Sequence, residues 1–541
     1  MNLRNISGNQ ITIWVVLLLG LVVALVIGSA VGSADVRFVA SVLALIPAAV
    51  IFVKLKTNIW VLLPISWSLY GSLPWLPLPF SVQNLCYLAV IVSFTLFLAV
   101  RALPWKRELS NLDYLIYINL AYLATVYVRN PAGFFLLQTD IVGGKPYMAI
   151  ALAFGAYLIL SRVKMSEAIA KVLPLLIVLP AWSVGILDLI GKTNIQIGYL
   201  LNSFYSGVGV SSLSGAITSE AEIGLTRLTG LQSAAYVSVL FLCSRYNVIT
   251  LISPLHPWRV LALMTTLSAI FLSGFRSLFL FAIAAFVLSA ILRRQLNDLC
   301  VFIAVGVLAL VSIIFLQGNI LHLPMTMQRT LSWLPGDWDS EAAEDAEAST
   351  QWRVEMWEWA WNDDRIFRNK IWGQGFGLTI EDMNLIANSL VAGGSGSNLL
   401  GGSDREQFMI TGSFHSGPLS SIKFIGIVGL ALYYPLICYM AVLAWRLCKR
   451  AQGSNAATLA LFVGIPFIYE PFNFVVFFGA LEGNYPQTLL SAGLLMMTQR
   501  YLERLKLSVP SEVKAAFEAL GRPNSSPQAV LRRQALMQQP L

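Results

Sequence analysis

Long apolar runs follow one another from residue 11 to residue 316. A mixed stretch occupies 317–417, and apolar runs resume at 418. A helix needs about 20 mostly apolar residues to cross the hydrocarbon core, and irregular backbone cannot face lipid. On that template about fourteen runs read as spanning helices: 11–32, 36–53, 58–76, 82–100, 111–128, 146–162, 168–190, 228–250, 258–275, 276–292, 298–316, 418–445, 456–480 and 486–499. SLPWLPLPF breaks the third run, and Gly274 marks a tight turn between the runs on either side of it. The pattern predicts an all-α, polytopic integral membrane protein. Residues 1–316 carry the first eleven helices, 317–417 form one large loop, 418–500 carry three more helices, and 501–541 are a tail.

Composition agrees: 57% of residues are hydrophobic, 12% are charged, and mean hydropathy is +0.70. A soluble domain carries roughly 25% charged residues, so much of this surface faces lipid. Disorder is excluded, since it needs low hydrophobicity. The five cysteines, Cys86, Cys243, Cys300, Cys438 and Cys448, lie in or beside apolar runs without metal-ligand spacing and read as small core residues. A net charge of +8 would raise the question of nucleic acid in a soluble protein. Here the distribution of charge carries the meaning, and it speaks of orientation.

The first run lacks a small-residue cleavage site and reads as a retained span. One set of alternating connections holds Lys54 and Lys56, Arg101, Lys106 and Arg107, Arg162 and Lys164, Arg293 and Arg294, and Arg446, Lys449 and Arg450. The opposite short connections hold only Arg37, Arg129, Lys145, Lys192, Arg227 and Arg276. Positive residues favour the cytoplasm, so both termini are expected there, with 317–417, 129–145 and 191–227 on the outer face. The basic tail reads as a membrane-surface helix with a frayed end.

Arg129, Lys145, Arg227 and Arg276 sit at outer ends of spans, against that rule, and intramembrane or membrane-edge ions mark function by default. In SAIFLSGFRSLFLFAIAAF, Arg276 stands between two apolar runs. A single arginine there could snorkel to headgroups. Four on one face suggest an anion site, because a guanidinium binds phosphate oxygens with two parallel bonds.

In the long loop, the acidic stretch 341–348 reads as a solvated helix. QWRVEMWEWAWNDDRIFRNKIWGQGFG opens as an amphipathic helix, with Trp352, Met356, Trp359 and Trp361 expected on the membrane interface. Gly373, Gly375 and Gly377 follow no predicted strand, which argues against a dinucleotide fold. Asp337 and Asp339 form a D-x-D, yet nucleotide sugars are cytoplasmic and this loop is not. NSLVAGGSGSNLLGGS, 388–403, reads as a flexible insert or lid. His415, in FHSG just before the twelfth span, is placed at the outer interface, whereas His256 is cytoplasmic and His322 begins the loop near a proline. Glu470 and Asn473, in PFIYEPFNF, read either as a buried hydrogen-bonded pair or as part of a cavity wall.

The order LSGFRS, then WEWAWNDDRIFRNKIWGQGFG, then FHSGPLSSIKFIGIVGLALYYPL resembles the O-antigen ligase and O-antigen (Wzy-type) polysaccharide polymerase superfamily. RNPAGFFLLQTDIVGGKPY is similar to an outer loop of bacterial polysaccharide polymerases. The resemblance covers about 245–445 and implies a GT-C-like helical bundle in the bacterial inner membrane, working without metal or other cofactor. It implies transfer of a glycan from an undecaprenyl-pyrophosphate donor to a glycan or lipid A-core acceptor. By position, Arg276 matches the pyrophosphate-binding arginine and His415 the catalytic histidine, while Arg227 matches a second donor-site arginine in topological place only. The number of spans and the long insert favour polymerase over ligase. The chemistry agrees. Fixed cations stabilise a pyrophosphate leaving group, and a neutral imidazole, with an ordinary pKa of about 6.5, removes the acceptor hydroxyl's proton. Single displacement would invert the anomeric centre. Two other readings are a precursor transporter or flippase, against which no inverted repeat is legible, and a sensor or assembly subunit without chemistry.

Overall fold

A computed structural model of the chain describes residues 54–74, 80–99, 109–133, 143–207, 228–317, 320, 322–392, 408–477 and 479–507. The expected spans 11–32 and 36–53, Arg227, residues 393–403 of the Gly/Ser segment and the tail beyond 507 lie outside the described residues. Among those described the structure is helical and holds no strand, only an isolated bridge between Ser72 and Ser81.

The helices numbered here are α1 (Val82–Ala99), α2 (Asn111–Arg129), α3 (Gly144–Leu160), α4 (Glu167–Thr193) and α5 (Ile195–Phe204). There follow α6 (Thr229–Arg245), α7 (Pro257–Ser273), α8 (Arg276–Arg293), α9 (Leu296–Leu316), α10 (Met325–Leu331) and α11 (Ser340–Asn362). The last are α12 (Ile380–Ala392), α13 (Gly417–Ala451), α14 (Ala457–Val476) and α15 (Leu481–Leu507). Among the described residues six helices, α1, α4, α8, α9, α13 and α14, are long and apolar enough to cross a membrane, and α3 and α7 are shorter apolar helices. In α9, Val301, Val307, Leu308 and Phe315 are exposed and only Leu299 is buried. An apolar helix exposed on most of its surface suits hydrocarbon and not water.

Local chemistry sets the ends. Ser110 and Asp113 form a reciprocal capping box on α2. Asn194 ends α4 and caps α5 through its side chain. Gly274, in the left-handed region at φ 72°, closes α7 so that α8 starts two residues later, the turn that the sequence marks. The run 58–76 does not form one spanning helix. It breaks into short segments, Lys56–Val61, Leu62–Ile65 and Ser66–Ser68, before the proline-rich stretch, and buries Trp60 and Leu63 inside the bundle.

The bundle packs α13 on α14, α6 on α4, α15 on α3 and α2 on α13. Small residues let these backbones approach. Gly464 lies against Cys448 and Ala444, Gly185 against Gly230 and Ala234, and Gly493 against Leu160. Asp113, almost fully buried, accepts a hydrogen bond from Tyr157 (2.7 Å) and faces Arg162 (3.9 Å), which ties the start of α2 to the end of α3.

The loop between α9 and α13 has its own small core of Met356, Ala360, Ile366, Phe367, Met409, Ile410, Phe414 and Ile422, with Trp352 and Trp357 packed on it. The face of α11 carrying Met356 and Trp352 is therefore turned inward, and of the four residues expected at the membrane interface only Trp359 and Trp361 are exposed. The physical reason is local. Ile422 and Phe414 offer α11 an apolar partner within the protein, so that face is buried there.

α13 is broken near its start. Gly426 has φ 73° and ψ 175°, a region open essentially to glycine alone. The break interrupts the helical ladder, and the segment 370–375 repairs it. Gln374 N–H donates to Lys423 O (3.0 Å) and Gly375 N–H to Phe424 O (2.9 Å), while Tyr122 Oη donates to Ile425 O (2.8 Å). In return Ile427 N–H and Val428 N–H donate to Lys370 O (2.9 Å) and Ile371 O (3.2 Å). The bend is large. The ring of Phe474 touches Gly417 and also packs on Tyr433, centroids 5.6 Å apart. A straight helix would separate those two residues by about 24 Å, too far for one ring to reach both. The half-helix 417–425 thus folds over the loop end of the bundle, and the longer half continues through it.

A Cβ at Gly426 would overlap the Ile371 carbonyl oxygen, whereas one at Gly306 in α9 would meet nothing within 4 Å. Gly426→Ala should therefore cost at least about 3 kcal/mol in strain and lost hydrogen bonds, and Gly306→Ala should gain up to about 1 kcal/mol. Melting of the two purified variants in detergent checks this, and equal melting temperatures would contradict the role given to Gly426.

Candidate functional site

His415 sits at the apex of a helical hairpin. The outgoing arm is the single turn 408–411, closed by Gly412 at φ 73° with Gly412 N–H donating to Met409 O (3.2 Å) and Ser413 N–H to Phe408 O (2.9 Å). The returning arm is the half-helix 417–425, which follows Ser416, whose carbonyl accepts from Ser420 N–H (3.0 Å). His415 itself adopts φ 52°, one of three non-glycine residues with positive φ among those described. For an L residue this conformation costs roughly 1–2 kcal/mol, so the surroundings must hold it. They do so through its neighbour. Phe414 is fully buried, stacks on Phe367 at 5.4 Å and 13°, and its carbonyl accepts from Trp357 Nε1 at 2.7 Å. The half-buried imidazole lies between Phe408 (5.6 Å) and Trp352 (6.4 Å).

The loop end of α14 connects this hairpin to α8. Phe474 touches Gly417, two residues past His415. Tyr469 packs on Phe281 (5.2 Å), five residues into the helix that Arg276 begins. Glu470 and Asn473 lie between those two contacts, and Asn473 Nδ2 donates to Glu470 Oε2 (3.2 Å). The pair is thus hydrogen-bonded and half-buried, on the helix that joins the two halves of the candidate site. The contacts at Tyr469 and Phe474 are five residues apart, about 7.5 Å along a helix. Arg276, half-buried, occupies the first position of α8, where the helix dipole also favours negative charge. Nearby α10 packs on α7 and α8 and buries Arg329, which is 4% exposed.

Arg129 is placed elsewhere and is engaged. Its Nε donates to Thr125 O (3.1 Å) and its Nη2 to Trp372 O (3.4 Å), and the guanidinium carbon lies 5.4 Å from the Trp372 ring centroid and 6.0 Å from that of Tyr122. Lys145 is exposed near the start of α3. Both border the glycine loop. Gly143 abuts Phe376 and Gly377, and Tyr147 Oη accepts from Phe376 N–H (3.3 Å). Gly373 and Gly375, at φ 76° and 73°, allow the backbone to pass between α2, α3 and the break in α13. Arg129 and Lys145 therefore flank the splice, on a different set of helices from Arg276, Glu470 and Asn473. No protein-family model and no curated protein matches this chain. Function is argued from the chemistry of these side chains.

Other sequence candidates have local roles. Asp339 caps α11 by accepting from Glu341 N–H (3.1 Å), and among the described residues no three His, Cys, Asp or Glu gather as a metal site. Lys192, another cation on a connection expected outside, faces the buried Asp188 at 3.9 Å, and Asp188 accepts from Gly230 N–H (2.8 Å) at the start of α6. On the loop surface, the Arg365 guanidinium beside Asp363 (2.7 Å) holds that carboxyl below its ordinary range. Lys423 was missed, although a lone cation in an apolar run is a visible signal. Trp357, Arg329 and Asp188 were also missed. The tryptophan is hidden among neighbours of its own kind, and Arg329 lies in a loop where an arginine needs no explanation.

A stacked guanidinium of this kind is worth about 0.5–1 kcal/mol. Arg129→Ala and Trp372→Ala should each destabilise by about that much, and the double variant by little more than either, because both remove one contact. A double-mutant cycle of detergent melting curves tests it, and fully additive losses would show that the stacking contributes nothing.

Proposed function

We propose that this chain is a glycosyltransferase of the bacterial inner membrane, with both termini cytoplasmic. In this reading it transfers a glycan from an undecaprenyl-pyrophosphate donor to an acceptor sugar hydroxyl on the outer face, as an O-antigen or exopolysaccharide polymerase or an O-antigen ligase. It is a GT-C-like bundle of about fourteen passes, with the broken segments Lys56–Val61, Leu62–Ile65 and Ser66–Ser68 standing in for one continuous helix. The observation that carries the reading is the α14 connection, in which one helix contacts both the His415 hairpin and the helix that Arg276 begins, with Glu470 and Asn473 between.

The chemistry follows from those positions. The donor's pyrophosphate lies against Arg276 and the start of α8, where a fixed cation and the helix dipole stabilise the charge that grows on the leaving group. The lipid tail runs beside the apolar helices. The neutral imidazole of His415 takes the proton of the acceptor hydroxyl as its oxygen attacks the anomeric carbon. The carbon–oxygen bond to pyrophosphate breaks in the same displacement, with inversion. Glu470 and Asn473 offer hydrogen bonds to a sugar between the two.

Arg276→Ala and His415→Ala should each reduce surface polymer by at least about 100-fold in cells lacking the native copy, without loss of protein from the membrane. Gel analysis of surface glycan and immunoblots read both, and normal polymer in both variants would refute the mechanism. Loss of a polymerase leaves single repeat units on the acceptor, whereas loss of a ligase leaves polymer on the carrier lipid.

A transporter is favoured by one feature, the helix broken at Gly426 close to polar groups, since discontinuous helices line transport paths. Reconstituted vesicles separate the two readings: a flippase equilibrates fluorescent lipid-linked sugar across the bilayer without lengthening it.

A further inference from the structure

Lys423, in the returning arm of the hairpin, is 3% exposed. Its Nζ donates to two main-chain carbonyls, Met409 O and Ile410 O, each at 2.6 Å, and lies 5.8 Å from the ring centroid of Phe414. Asp382 and Arg368, themselves paired at 2.5 Å, are the charged side chains whose fields reach it. A buried ammonium is costly to desolvate, and a methionine would fill the same space without that cost. What the amine adds is directional. The two carbonyls end the outgoing arm 408–411, where the lysine satisfies Ile410 O and adds a second donor to Met409 O beside Gly412 N–H. The bond therefore ties the two arms at the base of the turn.

We propose that Lys423 is a positioning residue that fixes the imidazole of His415, an inference that rests on the function proposed above for His415. The route is short. Ile410 precedes His415 by five residues, Lys423 follows it by eight, and Phe414, which the lysine flanks, is the residue directly before it. Trp357 holds the Phe414 carbonyl from the other side. With both arms tied, the turn has little freedom and His415 keeps its left-handed backbone. Cutting the tie lets the turn relax, and a proton acceptor displaced by about 1 Å loses roughly 100-fold in rate.

The test is Lys423→Met in the full-length protein, reconstituted with undecaprenyl-pyrophosphate-linked oligosaccharide extracted from cells lacking this protein. The expected result is a kcat lowered about 10- to 100-fold with KM for the lipid-linked donor within about two-fold. A second readout needs no turnover. In a His256→Ala/His322→Ala background, the rate at which diethyl pyrocarbonate modifies His415 should change at least about three-fold on Lys423→Met, as expected for a displaced ring. Wild-type kcat in the folded variant overturns the inference, and so does a lowered kcat with unchanged labelling. If Lys423→Met does not fold, Lys423→Gln, whose amide nitrogen sits one bond short of the lysine's and so loosens the tie to both carbonyls, is judged by the same two measurements. His415→Ala separates the two levels. Full activity in that variant refutes the glycosyltransfer mechanism and leaves labelling to judge the tie alone. Lost activity there, with wild-type kcat in Lys423→Met, refutes only the positioning role.

Discussion

Backbone groups near a membrane need partners, because lipid offers none. A helix interrupted at Gly426 leaves carbonyls and amides that must be satisfied by protein, and in this chain the satisfying segment is 370–375. That exchange of hydrogen bonds determines much else. It fixes the loop to the bundle at a point where α2, α3 and α13 meet, and it explains why Gly373 and Gly375 carry no side chain: any Cβ there would strike the backbone of α13, Tyr147 or Asn130. It also turns the half-helix 417–425 across the end of the bundle, which brings Gly417, two residues past His415, against Phe474 of α14.

From that bend the candidate site assembles out of segments distant in sequence. The hairpin is closed by a lysine on one arm bonding to carbonyls of the other. Its apex residue is held by Phe414, which is packed between a stacked ring and a tryptophan N–H. The loop core that supplies these contacts is small, and its members come from α11, from 366–367 and from 409–422. A single break in one helix is thereby converted into a rigid platform for a histidine whose own backbone conformation is unfavourable.

Helices were legible in the sequence because length and apolarity decide them. The run 111–128 became Asn111–Arg129, and 276–292 became Arg276–Arg293, with Gly274 as the turn between α7 and α8. The break at Gly426 was not legible, since a glycine in IGIVGLALYY changes neither hydropathy nor periodicity, and its φ depends on a loop some fifty residues away in sequence. The inward face of α11 was misread for a related reason. Tryptophan suits a membrane interface and a protein core equally, and only the presence of Phe414 and Ile422 nearby decides between them. The run 58–76 gave no single continuous helix, since Pro64 lacks the N–H that a helix interior uses and the short segments end at Leu69, at φ −103° and ψ 61°.

The cations on the connections expected at the outer face form one group in the sequence, set apart because positive charge is disfavoured there. Their surroundings divide them. Lys192 faces a buried carboxylate, and Arg129 lies between two aromatic rings while bonding to two carbonyls, so each has a structural reason for its position. Lys145 is exposed beside the glycine loop. Arg276 differs in kind, because it begins a helix whose dipole reinforces its charge and whose second turn touches the same helix that touches the hairpin. An anion site assembled from Arg129, Lys145 and Arg276 would need groups carried by α2, α3 and α8. One assembled around Arg276 draws on α8 and α14 alone, and the end of α14 that follows Tyr469 also touches Gly417, two residues past His415.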